Sequence, residues 1–249
     1  MFFIPEIRLS LKYVNSYMNA IGITVLAVFS MACSNNNVAQ KRGIKYVALG
    51  DSYTCCTGAN PDQAWPLLLT KHLNDAGVQI ELSANPAHNG WTTQDVIDRE
   101  LPIFEQIKPD FVTLLIGVND WVQGVDSGTF HKNLTYIIDK VQGGLPHKKN
   151  LILITIPDFG VTPTGAQYSE GRDIAKGIAA FNSIIQAEAK NRGLQCVDIY
   201  PETQKMKDDP KLIADDGLHP SALEYSKWEA IIYPIAARVF TYKGIGIKE

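Results

Sequence analysis

The chain has 249 residues, 23 basic and 26 acidic side chains, a formal net charge of −3 and 45% hydrophobic residues. That length suits one domain with appendages and is ample for a core, while near-neutral charge offers no electrostatic footprint for nucleic acid. No Gly-x-x-x-x-Gly-Lys loop, Cys-x-x-Cys pair or His-Glu-x-x-His stretch occurs, so nucleotide and zinc chemistry lack their usual anchors.

The N-terminus differs from the rest. Arg8 and Lys12 precede an uncharged apolar run over residues 20–29, and Ser30-Met31-Ala32-Cys33 follows it. A basic segment, a short apolar core and small residues describe a secretory signal peptide, and the run is short for a membrane span. Cysteine directly after the small residues resembles the bacterial lipobox. Residues 1–33 are therefore read as a signal peptide with Cys33 as the lipidation site, with a soluble secreted chain and an uncleaved anchor as the alternatives. Residues 34–44 are Asn-rich, then basic, and form a polar tether. The folded domain is expected over 45–242, with 243–249 as a tail.

Lys45 to Leu49 is apolar and β-prone and stops at Gly50-Asp51-Ser52, so a strand over these residues ends on a hydroxyl. Residues 65–74 have helical spacing, with Pro66 suited to the first turn and Gly77 to the stop. A brief strand is expected over 79–82. Thr92 or Thr93 caps a helix reaching Ile107, before Pro109. Strands over 111–116 and 151–156 are continuously apolar, with a helix between them from about 127 to 141. The Pro/Gly/Thr-rich stretch 158–169 is a long loop. A helix over 174–192, a strand over 194–199 and a final helix over 221–239 complete the chain. Alternating strands and helices imply a parallel sheet covered on both faces.

Several strand ends carry reactive groups. Ser52 is a candidate nucleophile, and a strand end in an α/β sheet is where ligands bind. His219, in Asp215-Asp216-Gly217-Leu218-His219, is the candidate base, and one turn brings Asp216 against its ring. Asp215 competes for that role and would need a different turn. Asn119, after the 111–116 strand, can donate a side-chain amide to an oxyanion, and Gly90 can offer an unobstructed N–H. Each of these residues also reads as an ordinary turn former. Removing Cys33 leaves Cys55, Cys56 and Cys196, an odd number without a disulfide framework. Cys55 and Cys56 read as packed thiols, with a vicinal disulfide or a thiol nucleophile as the other options. His72, His131 and His147 read as solvated. His88, Trp91, Trp121 and Phe159 read either as site lining or as packing.

Four such pieces in this order resemble the SGNH (GDSL-type) hydrolase family, whose blocks centre on Ser, Gly, Asn and His. Gly50-Asp51-Ser52, Gly90, Gly117-x-Asn119-Asp120 and Asp216-x-x-His219 carry the resemblance. It implies a three-layer α/β/α domain with a five-stranded parallel sheet in the order 2-1-3-4-5. It also implies Ser52 as nucleophile, His219 as general base, Asp216 as its orienter, and an oxyanion hole of Ser52, Gly90 and Asn119. No metal or organic cofactor is implied. The expected substrate is a carboxylic ester: a lysophospholipid, a short or medium acyl ester, or an acetylated carbohydrate. The alternatives are a non-catalytic surface-binding lipoprotein on the same fold and a thiol-dependent protein using Cys55 or Cys56. Cys55-Cys56-Thr57 departs from the glycine-containing continuation common in the family.

Overall fold

The structure is a computed structural model and describes residues 43–241. The segment read as a signal peptide, Cys33 with it, most of the tether and the 243–249 tail lie outside the described residues. The apolar runs become β1 (Ile44–Gly50), β2 (Ile80–Ala84), β3 (Phe111–Leu115), β4 (Leu151–Ile154) and β5 (Gln195–Val197). Every pairing is parallel and the order is 2-1-3-4-5, as the resemblance implied. β3 and β4 are buried along their whole length, which explains their lack of polar alternation.

The main helices are α1 (Ser52–Cys55), α2 (Trp65–Asp75), α3 (Thr93–Asp95), α4 (Leu101–Ile107), α5 (Val118–Val122), α6 (Ser127–Gly144), α7 (Ile174–Arg192), α8 (Tyr200–Thr203) and α9 (Ala222–Thr241). α2 packs on α9, while α6 lies against α4 and α7. These are the two outer layers that right-handed crossovers produce from this strand order. Phe111 ties the inner layer to α9 through Phe240, with ring centroids 5.2 Å apart, and Phe130 of α6 stacks on Phe181 of α7 at 4.2 Å.

One helix departs from the simple expectation. Thr92 caps α3 by accepting from the Asp95 N–H, but between α3 and α4 the chain makes a π turn over Val96–Glu100. Its cause is Pro102, two residues into α4. Proline has no N–H to continue the ladder, and its ring clashes with the carbonyl four residues back. The chain widens there, with the Leu101 N–H reaching Val96. The wider turn buries Glu100, whose Oε2 accepts from the Gly50 N–H at 3.0 Å.

The junction of β1 with α1 admits no side chain. A Cβ on Gly50 would stand 2.2 Å from Thr54 Oγ1 and 2.3 Å from the Leu115 carbonyl oxygen. The second atom belongs to the backbone of the neighbouring strand and cannot rotate away. Gly50→Ala is expected to cost about 3 kcal/mol through overpacking, lowering the midpoint by roughly 6–12 °C for a domain of this size. Thermal denaturation checks this, and an unchanged midpoint would show that the junction has slack.

Candidate active site

In the order 2-1-3-4-5 the chain direction of the crossovers reverses between β1 and β3, and ligands of open α/β sheets bind beyond the strand ends at such a point. Ser52 follows β1, Gly90 follows β2 and Asn119 follows β3, so the topology alone brings three of the predicted residues to this place. His219 arrives from the loop before α9.

Ser52 is the first residue of α1 and is nearly buried. Asp51 caps that turn, its Oδ1 accepting from the Tyr53 N–H at 3.0 Å. The turn closes at Cys56, which has φ 61° and returns its N–H to the Ser52 carbonyl. This left-handed position favours glycine, so the unusual Cys-Cys continuation holds a strain of about 1–3 kcal/mol beside Ser52. Both thiols are free, and burial pushes them up, away from the reactive thiolate form.

His219 Nδ1 lies 2.5 Å from Asp216 Oδ2. Asp216 Oδ1 accepts from the Leu218 and His219 N–H groups, both at 2.9 Å. Partial burial works against its charge, yet these hydrogen bonds and the imidazole hold the carboxyl below its ordinary value. Asp215 is exposed and makes no such contact. Of the two competing carboxylates, Asp216 is therefore the one on the ring.

The serine and histidine loops are packed against each other. A Cβ on Gly58 would meet Ala214 Cβ at 2.6 Å, the Pro220 carbonyl at 2.8 Å and His219 Cβ at 3.3 Å. Tyr225 of α9 donates to the Thr57 carbonyl at 2.9 Å, and the Tyr53 and His219 rings lie 5.8 Å apart. Ser52 Oγ makes no hydrogen bond to His219 among the described residues.

The Gly90 loop is tied to both sides. Thr57 and Cys55 donate to Asn89 Oδ1, Asn119 Nδ2 donates to the Trp91 carbonyl at 2.9 Å, and Gln123 Nε2 donates to the Gly90 carbonyl. One amide hydrogen of Asn119 remains, and among the described residues the N–H groups of Ser52 and Gly90 have no acceptor. Gly90 is exposed, with φ +80° and nothing within 4 Å of a Cβ position. Asp120 carries a different load: its carboxylate takes the N–H and hydroxyl of Thr93, fixing the start of α3 beside β3.

The other candidates have varied surroundings. Trp121 and Phe159 are buried edge to face, and Arg172 lies over the Trp121 ring while donating to the Trp121 and Val122 carbonyls. His88 is exposed and stacks on Trp91. His72 and His131, expected to be simply solvated, are instead half-exposed partners of Glu229 and Glu188. Sequence reasoning missed Asn89, Arg172 and Glu100, whose partners are 32 to 51 residues away in the chain.

Fold and site together have the layout of an α/β/α acyl hydrolase. Residues 48–226 match the GDSL-like Lipase/Acylhydrolase family, and the chain belongs to it. It is 26% identical over 197 residues to an arylesterase of Vibrio mimicus, covering 78% of this chain and 88% of the relative. It is also 26% identical over 173 residues to the thioesterase 1/protease 1/lysophospholipase L1 of Escherichia coli strain K12, covering 70% and 74%. Among solved structures, a lipase/acylhydrolase from Enterococcus faecalis has a TM-score of 0.63 at 23% identity, covering 79% of this chain and 96% of that one. The acetyl xylan esterase AlAXEase has a TM-score of 0.62 at 21% identity, covering 77% and 99%.

A carboxyl held below its ordinary value supports the fold above the unfolded value of about 4, and the support is lost as pH falls through the folded value. Asp216→Asn should therefore melt below the unsubstituted protein at pH 7, with the gap closing toward pH 3. Asp215→Ala should leave melting unchanged at both. Equal melting curves for the Asp216 variant at pH 7 would show that the loop does not depend on the pair.

Proposed function

We propose that the chain is a serine esterase that hydrolyses carboxylic esters through an acyl-enzyme. The observation that carries this reading is the Asp216–His219 pair, at 2.5 Å, on a loop packed against the turn that presents Ser52. Ser52 Oγ attacks the ester carbonyl as its proton passes to His219 Nε2. Asp216 holds Nδ1, sets the tautomer and stabilises the imidazolium. The carbonyl oxygen, now an oxyanion, takes hydrogen bonds from the Ser52 and Gly90 N–H groups and the spare amide hydrogen of Asn119. The alcohol leaves with the proton from His219. Water then attacks the acyl-enzyme with His219 as base, and the carboxylic acid departs from a regenerated Ser52.

The site faces solvent through the exposed Gly90 loop. An open site of this kind suits lysophospholipids, short or medium acyl esters and acetylated carbohydrates. The names of the relatives, arylesterase, lysophospholipase and acetyl xylan esterase, support the same span. No helix among the described residues is long and apolar enough to cross a membrane. We place the enzyme outside the cytoplasm, held on a membrane through lipidated Cys33, on the strength of the N-terminal sequence.

Ser52→Ala should abolish ester hydrolysis while preserving the fold, and Cys55→Ala with Cys56→Ala should not. Full activity in Ser52→Ala would sink the mechanism. Asn119→Ala should lower kcat by about 10²–10³-fold, as loss of one oxyanion donor does; an unchanged kcat removes Asn119 from the hole. Cys33→Ser, expressed as the full chain, should lose metabolic labelling by fatty acid, and persistent labelling would assign the lipid elsewhere.

A further inference from the structure

Four buried side-chain atoms around the nucleophile turn have no hydrogen-bond partner among the described residues: Asp51 Oδ2, Thr54 Oγ1, Asn85 Oδ1 and Glu100 Oε1. They belong to one small cluster. Glu100 accepts the Gly50 N–H, Asn85 donates to the Thr54 carbonyl, and Thr54 Oγ1 closes on Gly50. Asp51 and Glu100 are both fully buried. Each has spent one oxygen on a backbone N–H of this turn, Asp51 on Tyr53 and Glu100 on Gly50. Two carboxylates would add only acceptors to a cluster that already has too many, whereas one proton turns an orphaned acceptor into a donor.

We propose that Glu100 is a positioning residue of the active site, and that it and Asp51 together hold one proton behind the turn that presents Ser52. The pair then carries one negative charge in place of two. One orphaned carboxyl oxygen becomes a donor to the cluster, and the Gly50 and Tyr53 N–H groups keep their acceptors. Removing that proton sets two like charges in a dry space and forces Gly50-Asp51-Ser52 apart.

The electrostatics agree with this placement. Burial, opposed by the Tyr53 N–H and reinforced by Asp120, pushes Asp51 up to about 8. Burial, together with the charges of Asp51 and Asp95, pushes Glu100 well above its ordinary value despite the Gly50 N–H. Asp51 in turn acts on Tyr53, Cys55 and Tyr225. None of these neighbours is a cation that could replace the proton. A raised carboxyl adds stability that is whole below the unfolded value of about 4 and is lost as pH rises through the folded value.

Glu100→Gln and Glu100→Leu separate the proposal from a plain packing role. Glutamine keeps an acceptor for Gly50 and offers the buried cluster a permanent donor, so it should stay within about threefold of wild-type kcat. It should also flatten the loss of melting temperature between pH 5 and 9 and carry activity further into the alkaline range. Leucine fills similar space but offers neither group, and should lower kcat about 10- to 100-fold with KM little changed. Infrared spectra of the unsubstituted full chain at pH 7 should show a protonated-carboxyl stretch that Glu100→Gln removes. The kinetic arms rest on Ser52 as the nucleophile. The infrared and melting arms need no activity, so they fail only if the buried proton is absent. No carboxyl band lost in Glu100→Gln, or wild-type pH dependence of melting in that variant, would overturn the proposal; so would wild-type kcat in Glu100→Leu.

Discussion

The structure depends on how tightly β1 meets the turn that follows it. At Gly50 the strand, α1 and the neighbouring β3 approach so closely that a single methyl group would overlap a backbone carbonyl. That contact decides where Ser52 stands. It also leaves the Gly50 N–H needing an acceptor inside the protein, and Glu100 supplies it. A buried carboxyl behind Ser52 is thus a consequence of close packing and not an independent feature. Pro102 contributes by forcing the helix to widen where Glu100 must turn inward.

The carboxylates near the site are sorted by environment. Asp216 is partly exposed and surrounded by donors, so it stays charged against His219. Asp51 and Glu100 are buried and poor in donors, which favours the protonated form. Asp120 has both oxygens engaged by Thr93 and serves to hold α3. One functional group, the carboxyl, thus performs three tasks around one site, and burial against hydrogen bonding separates them.

The loops around the site are braced by side chains acting on distant backbone. Arg172 grips the carbonyl end of α5 while covering Trp121, and Thr164 donates from both N–H and hydroxyl to the Gly217 carbonyl. Asp158 gathers Tyr200, Gln204 and the Gly160 N–H. The histidine loop and the segments beside it are therefore fixed to neighbouring loops and helices through several independent contacts, which keeps a loop-built site in register.

The sequence by itself determined the alternation of strands and helices, because apolar runs such as 111–116 and 151–156 have only one way to hide both faces. Motif spacing also marked Ser52, Asp216 and His219, since a carboxylate three residues before a histidine can meet it within a single turn. It could not decide between the two readings of Trp121 and Phe159, or show that Asn119 and Trp91 would be joined. Those outcomes depend on β3 lying beside β1, a neighbour relation that no local pattern carries. Glu100 is the clearest case. In the sequence it is one more charged residue on a helix, and only the folded chain, with Pro102 widening the turn and Gly50 waiting for an acceptor, gives it a buried place behind Ser52.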